Sequence, residues 1–373
     1  MIGIKKIKNV LYIGDFHNWY PRNYIFIQGL RAYNINVYEI NFRTYNKIKK
    51  IKIFLKHLIK LRNERFDLVL FYSIFVSPLD FLLARILAYS KRIPLVNDIF
   101  ISKLLTYYYD NEFYKKRKVK IKFLHWIYYY IIDFLECHLA NYVILDTTSH
   151  IKFFYEKFKV PLKKFRKIYV GSRNDIFYPI EKKKKDTNKT VVGFWGHYIP
   201  LHGVQYIIKA IKLLENDDQL NFFLLGRGNT YKENRNLADK LNLRNTEFID
   251  VVPIKKLPEF ISKCDIGLGI FGNTPKADKV IPNKIFEGNA MKVPMISCES
   301  HAINELYNNY RDILLCKPAN PESLVESILK LKNDTELREK IRENAYKKYH
   351  KYASSKAIGE RLIKILNQII FKN

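Results

Sequence analysis

Short runs of β-forming apolar residues alternate with longer segments of helical periodicity along the chain. Such strand candidates fall on both sides of residue 180, and the last one before it spans residues 168–171. Several are continuously apolar, as expected for strands that helices cover on both faces. Alternating strands and helices are typical of an α/β fold built on parallel sheets.

The chain length and one polar segment indicate two domains. A chain of 373 residues is too long for one ordinary hydrophobic core. Residues 180–190 (IEKKKKDTNKT) are polar and lack apolar periodicity, which is typical of a linker. We therefore expect an N-terminal domain over residues 1–180 and a C-terminal domain over residues 181–353.

The net charge of +29 is distributed unevenly. Residues 1–180 contain 32 Lys and Arg against 13 Asp and Glu, whereas the remainder contains 33 against 23. The first part also holds 38 of the 55 aromatic residues. A basic, aromatic domain suits an anionic membrane surface, and it also suits nucleic acid. Lysine-rich solvated surfaces are a third interpretation of the charge.

One basic stretch, residues 115–122, leads directly into the aromatic segment 123–132. An interfacial helix and a core helix preceded by a basic loop are equally compatible with this pattern. Elsewhere the N-terminus (MIGIKKIK) lacks the apolar core of a signal peptide. No stretch reaches the roughly 18 uncharged apolar residues of a membrane span. We expect a cytoplasmic protein that is not integral to a membrane.

The four cysteines give no sign of a metal or redox site. Cys137, Cys264, Cys298 and Cys316 do not form a C-x-x-C pair, so neither zinc binding nor thiol exchange is indicated. Buried thiols in a reducing compartment are the expected state.

The first segment with chemical content is residues 191–204 (VVGFWGHYIPLHGV). A strand ends at Gly196, and a helix begins near Gly203. A helix start presents unpaired N–H groups and a positive dipole, so it binds phosphate readily. The two glycines would allow close backbone approach, and His197 and His202 can donate hydrogen bonds to oxygens. Glycines also simply turn chains.

The second segment is residues 279–291 (KVIPNKIFEGNAM). Asn283 and Glu287 lie four residues apart and therefore share a helix face. A carboxylate there can accept from both hydroxyls of a ribose, while Lys279 and Lys284 suit phosphate. An ordinary surface ion pair between Lys284 and Glu287 is the alternative, worth at most about 1 kcal/mol.

Two weaker elements complete the C-terminal pattern. Residues 223–228 (FLLGRG) read as a strand running into a Gly-x-Gly turn that contains Gly226 and Arg227. The loop at residues 251–254 includes Val252 and would supply backbone contacts to a base edge.

Taken in order, these elements resemble the retaining GT-B glycosyltransferases of family 4. Those enzymes have a strand, a glycine, a basic loop and a glycine that opens a helix, then a Gly-x-Gly turn. A helix with a ribose-binding glutamate and a Pro-Val-Ile strand follow; here these read FEGNAM at residues 286–291 and PMI at residues 294–296. Residues 140–146 (ANYVILD) resemble a strand of the family, and residues 169–179 (YVGSRNDIFYP) resemble its crossing into the second domain.

The resemblance implies two Rossmann-like domains that face each other across a cleft. A closing helix, about residues 354–373, would return to the N-terminal domain. The resemblance also implies a nucleoside-diphosphate sugar as donor, retention of the anomeric configuration, and neither a metal nor a bound cofactor.

The sequence departs from the family pattern at several positions. The family places Arg and Lys on the diphosphate where this chain has His197 and His202. Lys279 stands where the family has the first of two paired glutamates. The glycine-rich loop after the first strand is replaced by residues 14–22 (GDFHNWYPR).

The candidate site is thus divided over the two domains. Catalytic roles in stabilising the departing diphosphate fall to His202, Lys279 and Lys284, and Asp98 is a candidate near the acceptor hydroxyl. The acceptor side would include Gly14, Asp15 and His17. A carboxylate that closes a strand is also commonly structural, so both interpretations of Asp98 stay open. The predicted nucleotide-sugar-binding residues are Gly196, His197, His202, Gly203, Gly226, Arg227, Val252, Ile281, Asn283, Lys284 and Glu287.

The expected function is glycosyl transfer in cell-surface glycan or glycolipid synthesis, at the cytoplasmic face of the membrane. The expected partners are a nucleotide sugar, a glycan or lipid-linked acceptor and an anionic membrane, but not nucleic acid. One alternative is a non-hydrolysing sugar-nucleotide epimerase, whose acid and base residues cannot be assembled here. The other is a basic nucleic-acid-binding protein, which would leave the C-terminal motifs unexplained.

Overall fold

The structure, a computed structural model, describes residues 6–43, 46–73, 77–111, 119–181 and 189–371. Most of the predicted linker, residues 182–188, lies outside these ranges, and so do residues 115–118 of the basic stretch.

The chain divides into two compact units. The N-terminal unit comprises residues 1–108, 113–170 and 355–373, and the C-terminal unit comprises residues 109–112 and 171–354. Each unit contains one parallel sheet of six strands with flanking helices. The predicted α/β fold class is confirmed.

The sheet of the N-terminal unit has the parallel strand order β2-β1-β3-β4-β5-β6. The direction of the chain across the sheet changes between β1 and β3, where open α/β sheets bind ligands. The strands are β1 (Asn9–Gly14), β2 (Asn36–Asn41), β3 (Leu68–Tyr72), β4 (Leu95–Asp98), β5 (Tyr142–Leu145) and β6 (Phe165–Lys167). The helices between them are α1 (Pro21–Arg31), α2 (Lys47–Lys60), α3 (Pro78–Ser90), α4 (Val119–Leu139) and α5 (Thr148–Phe158), with a π-helical segment at Leu104–Tyr109.

Alternate residues of the central strands face two separate hydrophobic clusters, because successive side chains of a strand point to opposite faces. Tyr12 and Leu70 pack in the cluster that contains α1. Ile13 packs in the other cluster, with Phe54 of α2 and Phe81 of α3. Helix α3 contacts both α2 and α4, so α2, α3 and α4 form one continuous helical layer.

One predicted strand is displaced. The sequence predicts a strand at residues 168–171, whereas β6 is Phe165–Lys167. The carbonyl oxygens of Ile168 and Tyr169 accept hydrogen bonds from Nη1 of Arg22, each at 2.9 Å. In a sheet, the N–H groups of a neighbouring strand would bond to these two carbonyl oxygens. Here the buried guanidinium group of Arg22 donates to them instead.

The sheet of the C-terminal unit has the parallel order β12-β11-β10-β7-β8-β9. The side chain of Asn320 accepts from the backbone N–H of Ser323 at 2.6 Å, and Pro321 begins a helix. The strands are β7 (Thr190–Trp195), β8 (Leu220–Leu225), β9 (Thr246–Ile249), β10 (Ile266–Leu268), β11 (Met295–Cys298) and β12 (Leu314–Cys316). The helices are α6 (Val204–Leu213), α7 (Tyr231–Leu241), α8 (Leu257–Ile261), α9 (Asn283–Ala290), α10 (His301–Asn304), α11 (Pro321–Asn333) and α12 (Thr335–Tyr352).

The last helix, α13 (Ser355–Phe371), belongs to the N-terminal unit and packs on α1. A Cβ atom added to Gly29 of α1 would lie 2.8 Å from the Cα atom of Gly359 of α13. The two helix backbones therefore approach so closely that both positions need glycine. The predicted return of the closing helix to the N-terminal domain is confirmed.

Candidate functional site

The connection from β7 to α6 makes two sharp turns at glycines. Gly196 follows β7 with φ +134°, and Gly203 precedes α6 with φ +63° and ψ 37°. Between them a short 3-10 helix spans Pro200–His202. The first N–H groups of α6 have no partner within the helix itself, so this turn presents backbone donors at the carboxyl edge of the sheet.

Close packing requires a glycine at position 203. A Cβ atom there would lie 2.4 Å from the backbone nitrogen of Gly272 and 2.6 Å from the carbonyl carbon of Phe271. The same backbone donates from Phe271 to the carbonyl of His202 and from Gly272 to that of Leu201, both at 3.1 Å. The loop after β10 thus holds the start of α6 in place.

We expect Gly203→Ala to destabilise the protein by about 2–5 kcal/mol. The substitution forces alanine into a left-handed backbone conformation and brings its Cβ atom into the backbone of Phe271 and Gly272. Urea unfolding would measure the loss. Lys209→Ala on the exposed face of α6 is the matched control, expected to change stability by no more than about 0.5 kcal/mol. If Gly203→Ala were as stable as the wild type, the packing described above would be contradicted.

His202 is held inside the turn and is uncharged. Its Nδ1 atom bonds to the carbonyl oxygen of His197. Burial, together with the charge of Lys284, lowers the pKa of His202 well below its usual range. Because a carbonyl only accepts, Nδ1 carries the proton and Nε2 is left as an acceptor. The predicted donation from His202 to a phosphate oxygen therefore requires a second proton, which burial disfavours.

Helix α9 places a lysine against the first glycine turn. Pro282 is its N-cap residue, and Asn283 begins the helix. The Nζ atom of Lys284 lies 3.7 Å from the centre of the Phe194 ring and 3.5 Å from Nδ1 of His202. A Cβ atom added to Gly196 would lie 3.2 Å from the same Nζ. Lys284 thus lies beside the turn between β7 and α6. It is buried and does not form the surface ion pair that the sequence left as an alternative.

Glu287 lies one turn further along α9 and is also buried. Its Oε2 atom accepts a hydrogen bond from Nε1 of Trp195 at 2.8 Å. Burial raises the pKa of Glu287 to about 7, although the Trp195 bond and Lys284 act in the opposite direction. Burial likewise lowers the pKa of Lys284 well below its usual range. Glu287 is therefore poised between its charged and neutral states near pH 7. Burial disfavours the charge of Lys284, and an anionic ligand beside it would favour the protonated lysine.

The second glycine turn lies directly against the first. Gly226 follows β8 with φ +125°, and a Cβ atom there would lie 2.0 Å from the carbonyl oxygen of Gly196. Arg227 is exposed and makes two hydrogen bonds to Asp250, at 2.6 and 2.8 Å. The predicted Gly-x-Gly turn therefore adjoins the site, while its arginine is engaged by a carboxylate that the sequence did not single out.

The remaining predicted residues of this unit lie around α9 and β9. Ile281 is buried, and Val252 is half-buried in the loop after β9. Lys279 forms an ion pair with Asp278 at 2.5 Å. That carboxylate compensates the charge of Lys279.

Trp195 is the site residue that sequence reasoning missed. It is fully buried at the end of β7, and its indole N–H binds Glu287. The sequence does contain a signal for this residue: a tryptophan at the end of an apolar strand is expected to be buried, and its indole N–H then needs an acceptor. The sequence alone could not say which acceptor that is.

Asp98 in the N-terminal unit is a partner of Arg22. Its two carboxylate oxygens accept from Nη2 and Nε of Arg22 at 2.7 and 3.0 Å, and both side chains are completely buried. A carboxylate bonded in this way holds the fold, which favours the structural interpretation over contact with an acceptor.

The predicted acceptor-side residues lie at the end of β1. Asp15 is 3.7 Å from Arg43 and 3.6 Å from Lys50. The ring of His17 packs on that of Trp19 with centres 4.6 Å apart. A Cβ atom added to Gly14 would lie 2.7 Å from the carbonyl oxygen of Tyr72, so packing between β1 and β3 explains this glycine by itself.

The residues that the structure describes contain neither a metal-type cluster of side chains nor a helix suited to span a membrane. In those residues, no group of three or more His, Cys, Asp and Glu side chains is arranged to hold a metal ion. Within the same ranges, no helix combines the length and the apolar character needed to cross a membrane.

The fold has clear counterparts among solved structures. HepE of Anabaena, in complex with UDP and glucose, superposes with a TM-score of 0.70 at 15% identity over 97% of this chain and 100% of its own. Sucrose-phosphate synthase of Thermosynechococcus elongatus superposes with a TM-score of 0.75 at 12% identity over 98% and 100%. The chain therefore has the GT-B fold.

Sequence comparisons find similarity to glycosyltransferases over about half of the chain. Residues 179–348 match the model of the family Glycosyl transferases group 1. An uncharacterized glycosyltransferase of Methanocaldococcus jannaschii is 30% identical over 51% of this chain and 50% of its own length. The capsular polysaccharide biosynthesis glycosyltransferase CapM of Staphylococcus aureus is 27% identical over 58% and 52%. These alignments span about half the length of each relative. Residues 179–348, which lie almost wholly in the C-terminal unit, are therefore similar to the group 1 glycosyl transferases.

Proposed function

We propose that this protein transfers a sugar from a nucleoside-diphosphate sugar to an acceptor hydroxyl. The observation that carries the proposal is the meeting of three features in the C-terminal unit: the start of α6, the buried Lys284 and the buried Glu287. The match of residues 179–348 to the family Glycosyl transferases group 1 supports the same activity.

In this proposal the diphosphate lies at the start of α6, where backbone N–H groups and the helix dipole favour negative charge. Protonated Lys284 lies beside the diphosphate, whose negative charge offsets the effect of burial. Ionised Glu287 accepts hydrogen bonds from the ribose hydroxyls. The bond from the anomeric carbon to the diphosphate oxygen breaks, the bond to the acceptor oxygen forms, and the hydroxyl proton leaves with the diphosphate. Charge that grows on the leaving group is stabilised by donors already in position.

We extend the proposal to stereochemistry and acceptor. Retention of the anomeric configuration is proposed from the likeness of residues 286–296 to the retaining enzymes of family 4. Charged groups of the protein, and not a metal ion, stabilise the leaving diphosphate in this proposal. A glycan or lipid-linked sugar is the proposed acceptor, with the reaction at the cytoplasmic face of a membrane. The role of CapM in capsular polysaccharide biosynthesis favours this acceptor class. Gly14, Asp15 and His17 stay the proposed acceptor-side residues.

A thermal-shift screen of nucleotide sugars tests the proposal. UDP-sugars come first because HepE was solved with UDP and glucose. Ligand at about a hundred times its Kd stabilises a protein by about 2.7 kcal/mol, so the matching nucleoside diphosphate and its sugar should raise the Tm clearly. The nucleoside monophosphate should raise it less, because it lacks one phosphate for the helix start.

Transfer is then measured with the donor that gives the largest shift. No shift with any nucleoside diphosphate would contradict the proposal. Conversion of UDP-N-acetylglucosamine without an acceptor would instead support the epimerase.

A further inference from the structure

Helix α2 presents an apolar stripe to the outside of the N-terminal unit. Ile48, Ile51, Leu55 and Ile59 follow one another at helical spacing, and Ile48 and Ile59 are 68% and 76% exposed. The opposite side of the helix carries the buried Phe54. A surface helix of a solvated protein normally shows polar residues on the face turned away from the core, so this outward stripe calls for a partner.

The two neighbouring helices repeat the pattern. On α3 the exposed apolar residues are Leu82, Ile86 and Tyr89, which fall on one helix face. On α4 an exposed stripe runs over five turns through Ile121, Leu124, Tyr128, Ile131, Leu135 and Leu139. Since α3 contacts α2 and α4, the three stripes belong to adjacent helices. We call the exposed sides of α2, α3 and α4 together the outer helix face.

The charge of the outer helix face is entirely positive. Helix α2 exposes Lys47, Lys49, Lys52, Lys56 and Lys60 and contains no acidic residue. The acidic residues of α3 and α4 are Asp80, Asp133 and Glu136, and all three are buried. Asp80 pairs with Lys50 at 2.7 Å, and Glu136 pairs with Lys103 at 2.7 Å. Nothing on these three helices therefore repels an anionic surface.

We propose that the outer helix face docks on an anionic phospholipid bilayer, with the apolar stripes in the interface and the lysines on phosphate groups. In-plane helices of this kind insert their apolar side about 5–10 Å deep, and each lysine near the surface improves partitioning about fivefold. The inference deepens the membrane location of the proposed function and rests on it for its biological purpose. The docking itself does not require the enzymatic activity.

Two other occupants fit the surface less well. A second copy of the chain in a two-fold dimer would place the α2 lysines against an equally positive surface, because such an interface is self-complementary. Nucleic acid would bind the lysines, but single strands stack on aromatic rings, whereas Ile and Leu fill most of these stripes. Only a bilayer uses both the charge and the aliphatic stripes.

Vesicle flotation of the full chain tests the inference. Wild-type protein should float with vesicles of phosphatidylcholine mixed with phosphatidylglycerol, and much less with phosphatidylcholine alone. Binding should weaken at high salt, because surface charges are then screened. The variant Ile48→Glu/Ile59→Glu should lower the partition coefficient about tenfold or more, and Lys52→Gln/Lys56→Gln should lower it by about 25-fold.

The matched control is Leu213→Glu, which places the same charge on an exposed leucine of α6 in the C-terminal unit. It should float like the wild type. Equal flotation of the Ile48→Glu/Ile59→Glu variant and the wild type would overturn the inference, as would equal binding to both vesicle types. A vesicle-free dimer that this variant dissociates, detected by light scattering, would assign the surface to a second copy instead.

The nucleotide thermal shift of each variant separates the two proposals. Variants that lose vesicle binding but keep the shift are folded, and their loss reports on the outer helix face alone. If wild-type protein binds vesicles but no nucleotide, the proposed function fails and the docking stands. If it binds nucleotide but no vesicles, the docking and the proposed membrane location fail, and the proposed sugar transfer stands.

Discussion

Replacing Glu287 with glutamine is expected to stabilise the ligand-free protein above neutral pH and to weaken its binding of nucleotide. The folded-state pKa of Glu287 is raised from 4.5 to about 7 by burial. Between these values the unfolded chain has released the proton that the folded protein still holds, so stability falls as pH rises through this window. The full penalty above about pH 7 is about 3 kcal/mol. Glutamine does not ionise and avoids it.

Urea unfolding at two pH values measures this effect. The Glu287→Gln variant should exceed the wild type by up to about 3 kcal/mol near pH 8, and the difference should nearly vanish near pH 4. Glutamine keeps an oxygen that accepts from Trp195, so the change isolates the charge. Glu326→Gln, at an exposed position of α11, is the control and should show no such pH dependence. A Glu287→Gln variant that is less stable than the wild type near pH 8 would show that the burial penalty is compensated.

The same substitution should weaken UDP binding by about 10- to 150-fold, because a hydrogen bond to a charged group contributes about 1.5–3 kcal/mol. Calorimetry on the wild type and both glutamine variants measures the affinity. Affinity should also rise with pH through about 7 in the wild type as Glu287 ionises. Unchanged affinity in Glu287→Gln would remove this residue from the nucleotide site.

Lys284→Met is expected to lower turnover by about 100- to 1,000-fold, the range seen when one preorganised donor to a developing anion is removed. Methionine has a similar length and flexibility, so the packing against Phe194 is largely kept. The affinity for the intact nucleotide sugar should fall less than turnover does, because the diphosphate carries more negative charge in the transition state than in the bound donor.

Steady-state kinetics with the best donor of the screen, together with calorimetry of the same donor without acceptor, separates these effects. The folded variant should be at least as stable as the wild type, because it no longer buries an amine. Lys209→Met, an exposed lysine of α6, should leave turnover unchanged. An affinity for the intact donor that falls as much as turnover does would mean that Lys284 acts mainly through ground-state binding.

Much of the fold could be predicted because hydrophobic periodicity is a local property. The continuous apolar runs at β1, β3, β7 and β8 correspond to buried central strands, and the closing helix is visible from its apolar spacing. The run at residues 168–171 was misassigned for a non-local reason. Arg22, distant in sequence, satisfies its carbonyl oxygens, and no window of sequence contains that information.

The outer helix face shows the same division. The apolar residues of α2 and α4 are plain in the sequence, but periodicity cannot distinguish a stripe that faces the core from one that faces outward. In α2 the core side holds Lys50 and Phe54, so four apolar residues are left exposed. That assignment depends on where the helix packs on the sheet.

The amino-acid sequence by itself determined the order of strands and helices, the glycine positions and the residue types of the nucleotide site, because backbone preference and side-chain chemistry are local. Only the tertiary structure decided the environments of these residues. It buried Lys284 and Glu287 and paired Asp98 with Arg22. The physical reason is that desolvation and hydrogen-bond partners, which set charge and role, come from chain segments that are distant in sequence.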